Sequence, residues 1–263
     1  NLTVNNNLVL TDTSATFVAS GTITLNGNLS GVGSVAAGSN VEGWVVLTGT
    51  NTYSGRTINN NGNIRFVGKQ SVSPNSLLGF GFSFLRFSDL HPEFAYEVTN
   101  NFQLGSGGNL YVQGGGRVEL SGAMIGTGTQ GIVYQRDGSG VAIVELTGSS
   151  AYTGRLSVST AGLLVRLHTP MGQAYAGGEN SQIDGTLDLM GNDFDRRITM
   201  SNVSGADNSG NLVNSSLGDA SVLSGTFNTI GTNLGNQDFG GPGTLIVTGP
   251  ITVNSGNANG TGY

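Results

Sequence analysis

Apolar residues in this chain fall at every second position of short runs, and glycine introduces each run. Examples are Gly21-Thr22-Ile23-Thr24-Leu25, Gly62-Asn63-Ile64-Arg65-Phe66 and Gly108-Asn109-Leu110-Tyr111-Val112, with further runs starting at Gly116, Gly185 and Gly243. A period of two places the apolar side chains on one face of an extended strand and Thr, Asn, Arg, Glu or Asp on the other. Gly, Asn or Ser closes each run, and these residues tolerate tight corners. Asn26-Gly27, Asn61-Gly62 and Asn259-Gly260 are the clearest turn dipeptides. No stretch carries the i, i+3, i+4 apolar spacing of a long helix. The pattern predicts an all-β chain of short strands.

One segment occurs twice. Val45-Val46-Leu47-Thr48-Gly49-Thr50-Asn51-Thr52-Tyr53-Ser54-Gly55-Arg56 matches Val144-Glu145-Leu146-Thr147-Gly148-Ser149-Ser150-Ala151-Tyr152-Thr153-Gly154-Arg155, at an offset of 144 − 45 = 99 residues. Shorter echoes of its opening start at Val118, Val222 and Ile246. Internal similarity of this kind predicts a stacked-repeat architecture. At about 20–25 residues per coil the chain gives roughly 11–13 coils, and strands about 4.8 Å apart make a rod of about 50–60 Å. Residues 1–263 read as a single domain with an irregular insertion or loop around 70–100. Asn and Thr at the corners are expected to form ladders along the stack.

The succession Leu-Thr-Gly, Tyr-Ser/Thr-Gly and a Gly-x-Leu strand resembles the autotransporter-associated β-strand repeat of bacterial passenger domains. The segments Gly162–Leu167 and Asp184–Gly191 continue the likeness. The resemblance implies an exported, all-β, right-handed parallel β-helix (β-solenoid) of adhesive or structural character. The chain departs from the full-length pattern at residues 254–263, which are polar and glycine-rich and carry no alternating membrane strand. It begins at Asn1 without a basic-then-apolar leader, so either a targeting segment has been removed or the sequence starts internally.

Composition narrows the class. Glycine contributes 45 of 263 residues and charged residues only 10%, against about 25% in an ordinary soluble domain. Glycine lacks a three-residue period, which excludes collagen. The absence of cysteine excludes disulfides and thiolate metal sites. Ten Lys plus Arg against sixteen Asp plus Glu supply no basic stripe for sequence-independent nucleic-acid binding. No apolar run approaches a helical membrane span. Low charge with abundant Asn, Thr, Ser and Gly suits an extracellular or bacterial cell-surface protein.

The ends of the solenoid carry the functional expectation. Leu2, Val4, Leu8 and Leu10 read as strand material at one end, and Leu245, Val247, Ile251 and Val253 at the other. Open sheet edges there would stack head to tail and build a homopolymer. The expected function is therefore a self-assembling subunit of a surface filament or matrix. The alternatives are a monomeric autotransporter-type adhesin that binds glycans, and a polysaccharide-active β-helix enzyme.

Other candidates were weighed against packing. Phe80, Phe82 and Phe84 share one strand face by periodicity, and form either an internal aromatic stack (the favoured reading) or an exposed apolar patch. Asp184 and Asp188 read as solvent-facing, with Arg196 and Arg197 pairing Asp193 and Asp195, so no calcium site is assigned. His91, His168 and Lys69 give no catalytic constellation. No cofactor, metal or catalytic residue is expected, and the chain is read as not an enzyme. Tyr53 and Tyr152 are expected to cover a core corner with wet hydroxyls, and Arg56 and Arg155 to lie on an exposed ladder.

Overall fold

The computed structural model describes residues 1–255 apart from 12–13, 19, 39–42, 60, 81–83, 91–92, 94, 105–107, 127–131, 173–180, 202–210 and 232–237. Among the described residues every named strand pairing is parallel, and the one helical element is the 3-10 turn Lys69–Ser71. The chain is a parallel β-helix, as the alternating runs predict. Each coil passes through three faces in turn.

The first face is a continuous sheet of twelve strands, from Leu2–Val4 through Thr22–Leu25, Trp44–Leu47, Asn63–Val67, Phe84–Ser88, Gly108–Gln113 and Ile132–Asp137 to Ile251–Ser255. The second face begins as the pair Leu8–Leu10 and Leu29–Gly31 and becomes seven-stranded from Tyr96–Val98 to Asp238–Gly240. The third face does the reverse. It has six strands from Ala15–Val18 to Met124–Ile125, and resumes as Ser221–Leu223 with Leu245–Val247. The six glycine-led runs of the sequence all lie on these strands or open them.

Register makes the core. On the first face Val45, Ile64, Leu85, Leu110, Tyr134, Val158 and Ile183 stack one above the other, each fully buried. On the second face Val118, Val144, Val165, Leu187 and Leu212 do the same. Each inward residue covers its equivalent one coil away, so a narrow rod acquires a continuous apolar interior. Coil length varies, which explains why the repeats are degenerate. Ile183 pairs with Met200, a step of 200 − 183 = 17 residues, and Met200 pairs with Thr229, a step of 229 − 200 = 29.

The twofold segment occupies different faces in its two copies. Val45 lies on the first face and Val144 on the second. The strand after Tyr53 is Thr57–Asn59 of the third face, whereas the strand after Tyr152 is Leu156–Val158 of the first. The motif therefore encodes two strands and the corners that join them across the intervening face, where Thr52 N donates to the Leu29 carbonyl and Ala151 N to the Met124 carbonyl, not a position within a coil. Its glycines explain the corner. A β-carbon on Gly49 would overlap the Gly27 carbonyl, one on Gly148 the Gly122 carbonyl, and one on Gly249 the Gly225 carbonyl. Successive coils touch backbone to backbone there, which only glycine allows.

Asn ladders follow the corners as expected. Asn26 Nδ2 donates to Asn5 Oδ1 at 2.8 Å, and Thr48 Oγ1 donates to Asn26 Oδ1 at 2.8 Å. Beside them Asn28 N donates to Asn7 Oδ1, and Thr50 N to Asn28 Oδ1, both at 2.9 Å.

The repeat tyrosines correct one expectation. Tyr53 and Tyr152 are buried to their hydroxyls, which are not wet. Tyr53 Oη hydrogen-bonds Thr57 Oγ1 at 2.6 Å, and Tyr152 Oη donates to the Arg155 carbonyl at 3.2 Å. The ring fills the corner and its hydroxyl ties the corner to the next strand. Because the following strands lie on different faces, Arg56 and Arg155 share no ladder. Arg56 is exposed and reaches Gln103 Oε1 at 2.5 Å, while Arg155 is half-buried.

Burial pushes the Tyr53 phenol up to about 12, and raises Tyr96 and Tyr134 as well. An unfolded phenol titrates near about 10. Above that pH the unfolded chain releases protons that the folded chain retains. Tyrosine burial therefore stabilises the rod fully below about pH 10, and that stability is lost as pH rises towards 12. Spectrophotometric titration at 295 nm should show the buried phenolates appearing together with loss of the β-sheet circular dichroism. Ionisation of all tyrosines near pH 10 with the sheet signal intact would contradict the burial.

Candidate functional site

Two side-chain strips stand on the outside of the rod, and each is assembled only by register. The first is on the first face. One row runs Val46, Arg65, Arg86, Tyr111, Gln135, and beside it Trp44 pairs with Asn63, and Phe84 with Asn109 and then Val133. Phe84 packs edge-on against Tyr111 with centroids 5.2 Å apart at 73°. The Arg86 guanidinium lies over the Trp44 ring at 5.8 Å and pairs with Asp137. Partial burial lowers the Arg86 pKa, Arg65 lowers it further, and Tyr111 opposes both. Arg65 Nε donates to Ser88 Oγ at 2.8 Å, and that hydroxyl donates to the Phe66 carbonyl at 2.9 Å. Most other described aromatics, including Tyr53, Phe66, Phe87, Phe102, Tyr134, Tyr152 and Phe194, lie inside. Trp44, Phe84 and Tyr111 are half-exposed and gathered within four coils.

The second strip is on the second face, where Glu97, Glu119, Glu145, Arg166 and Asp188 stand in one row. Glu145 is its centre and is only 2% exposed. Its Oε1 receives Arg117 Nη2 and Arg166 Nη1, each at 3.0 Å, and its Oε2 meets His168 Nε2 at 2.7 Å. Thr147 donates to Glu119 at 2.9 Å. Asp188 accepts from Ser215 N at 3.0 Å and from its hydroxyl at 2.7 Å. The carboxylates of Glu145 and Asp188 are engaged by residues of neighbouring coils, so the network holds coils together.

The acidic cluster around residue 190 is placed differently from its expectation. Asp184 and Asp188 are buried, not solvent-facing, because the partners named above and Gln182, which donates to Asp184 Oδ2 at 2.7 Å, satisfy them. Asp195 reaches Arg196 at 3.5 Å, whereas Asp193 accepts from Val222 N at 2.9 Å. Among the described residues no group of three or more His, Asp or Glu is arranged to hold a metal ion. Arg196 is a buried staple. Its Nε donates to the Gly154 carbonyl at 2.7 Å, and its Nη2 to the carbonyls of Tyr152 at 2.6 Å and Gly172 at 3.0 Å.

The phenylalanine run also divides. Phe80 ends the third-face strand Leu78–Phe80 and Phe84 opens the first-face strand Phe84–Ser88, so the two belong to different sheets and do not share a strand face. Phe82 lies outside the described residues, and for Phe80 only the backbone is described. The internal aromatic stack is built instead from Phe66 on Phe87, 5.5 Å apart at 17°, with Tyr96 at 5.9 Å from Phe87.

The residues expected at the ends are strand residues there. Leu2, Val4, Leu8 and Leu10 lie in the first coil. Leu245 and Val247 lie on the last third-face strand, and Ile251 and Val253 on the last first-face strand. Leu2 and Val253 occupy the two extremes of a single row that passes through Val45 and Tyr134. Leu2, Val9, Val18 and Ile251 are each more than half exposed, and Phe239, Ile246 and Val247 are exposed beside the last. A notch of about 300 Å³, lined in part by Leu2, Val18 and Ile23, opens at the first coil.

Arg65 and Tyr111 are legible as outward positions of alternating runs, yet their neighbourhood with Trp44 and Arg86 requires the coil register. The same holds for Glu145, Arg117 and His168. Comparison with known proteins finds no matching family model, no matching curated protein and no matching solved structure.

Proposed function

We propose that the protein is an extracellular structural rod of a bacterial cell surface whose copies associate end to end through their terminal coils. The observation that carries this reading is the concentration of exposed large apolar side chains on the first and last coils: among the described residues seven lie there, Leu2, Val9, Val18, Phe239, Ile246, Val247 and Ile251, against four elsewhere. Among the described residues the first and last strands of the first face each have a neighbour on one side only, and an open ladder edge can accept a further strand. Whatever continues the ladders, a further coil or the opposite end of another copy, meets those same edges. A head-to-tail copy would extend the Leu2–Val253 row without a change of direction, a heterologous contact that grows into a filament. The resemblance to the autotransporter-associated repeat supports the extracellular assignment, and the satisfied Glu145 network supports a structural role over a catalytic one.

Electron microscopy and sedimentation velocity over a concentration series test the association. Rods should lengthen in whole multiples of about 55 Å, the span of a dozen rungs. The double variant Leu2→Lys with Val9→Lys should stay single, because charge on an exposed edge blocks pairing. Single rods of the native chain at every concentration, or equal lengthening by the variant, would reject the proposal.

A further inference from the structure

We propose that the outward strip from Trp44 to Asp137 on the first face binds a polyanionic, uronate-bearing polysaccharide. The closed Glu145 network and the shallow depression of about 210 Å³ near Asn100 offer no comparable surface, since their polar groups are already turned to one another. The first-face strip differs in three respects. It gathers Trp, Tyr and Arg, the side chains that most often anchor recognition. Its rings are spread over four coils, Trp44 one coil removed from Phe84 and Phe84 next to Tyr111, so they offer apolar surface along the axis to the C–H faces of a linear sugar chain. Its two arginines outnumber its single carboxylate, Asp137, so its charge is opposite to that of the chain as a whole.

That charge selects the ligand. The net charge of the protein is −6, yet the rows Val46–Arg65–Arg86–Tyr111–Gln135 and Trp44–Asn63 with Phe84–Asn109–Val133 contain two arginines and no carboxylate. Asp137, at the edge, engages Arg86 alone. Arg65 spends its Nε on Ser88, and the remaining edge of its guanidinium suits a carboxylate, which takes a planar fork in bidentate fashion. Arg65 and Arg86 are register partners, about 4.8 Å apart along the axis. A polymer lying along the rod presents its carboxylates to Arg65, and to Arg86 in exchange for Asp137. Two cations on an acidic rod are too few for nucleic acid, whose duplex carries one charge per about 1.7 Å.

Affinity electrophoresis in gels containing polygalacturonate, a neutral α-1,4-glucan or oligo-dT separates the outcomes, and fluorescence of Trp44, the only tryptophan, gives a second readout. Polygalacturonate should retard the protein and shift its fluorescence, less so as salt rises. Arg65→Gln combined with Arg86→Gln should weaken retardation at least tenfold, and Trp44→Ala several-fold. Arg65→Gln alone, which leaves the Arg86–Asp137 pair in place, should weaken it about threefold. Arg56→Gln on the third face should change nothing. Absence of retardation by polygalacturonate, equal retardation by the neutral glucan, tighter binding of oligo-dT, or indifference to the arginine substitutions would each overturn the proposal. The strip is lateral, so single rods and filaments should bind alike, and the result does not depend on end-to-end association.

Discussion

Gly148→Ala is expected to destabilise the rod by about 3 kcal/mol, the upper range for overpacking a tightly packed site. The added methyl would overlap the carbonyl oxygen of Gly122, and a β-carbon on Gly122 would in turn overlap the carbonyl of Asn100. Three coils therefore meet backbone to backbone at one corner, and none can yield without lifting the strands that flank it. Thr147 and Gly148 both donate their N–H to the Leu120 carbonyl at 3.1 Å, so moving the corner also breaks the ladder. Gly218→Ala is the control. No atom stands within 4 Å of its added carbon, and the residue is exposed. Urea unfolding followed by circular dichroism should place the Gly218 variant within about 0.5 kcal/mol of the native chain. Equal stability of the Gly148 and Gly218 variants would contradict the stacked corner.

Arg196→Met is the second large effect. The guanidinium is 3% exposed and serves the carbonyls of Tyr152, Gly154 and Gly172, which belong to the corner of the second repeat copy and the segment beyond it. Burial lowers its pKa, while Asp195 and Tyr152 favour the charged form. Methionine fills much of the volume and restores none of the bonds. Three carbonyls lose their donor, and each orphaned buried group costs about 1–3 kcal/mol. A net loss of about 3–5 kcal/mol is expected, as for breaking other buried charged networks. Arg196→Lys should recover only part, because one ammonium cannot reproduce the planar fork. Native-like urea unfolding of the Met variant would show the staple to be dispensable.

The strand content was legible in the sequence because alternation and glycine are local signals. Val45, Ile64, Leu110 and Val118 are inward as their runs imply. Coil phase was not legible. The match between residues 45–56 and 144–155 suggests equivalent positions, yet the two copies are rotated by one face, because the motif encodes two strands with their corners and a prism has three faces on which it can start. The same limit hid the surface strips. Arg65 and Arg86 are 21 residues apart and adjoin only through register, and Glu145 acquires Arg117 from the coil before it and Arg166 and His168 from the coil after it. The hydroxyls of Tyr53 and Tyr152 were misplaced for a local reason: the acceptor at the next strand, Thr57 or the Arg155 carbonyl, comes within reach only when the Tyr-x-Gly corner closes.

In-register winding of the chain is tested most directly by a disulfide across two coils. Ile143 and Leu164 face outward as register partners 21 residues apart, and the natural chain has no cysteine to interfere. Parallel neighbours about 4.8 Å apart lie within the Cα separation that a disulfide accepts. Ile143→Cys with Leu164→Cys should oxidise spontaneously and quantitatively under air, read by non-reducing gel mobility and mass spectrometry, with native circular dichroism. Ile143→Cys with Arg166→Cys, displaced by two residues, should remain reduced. Preferential closure of the displaced pair, or of neither, would contradict the stacking of these coils.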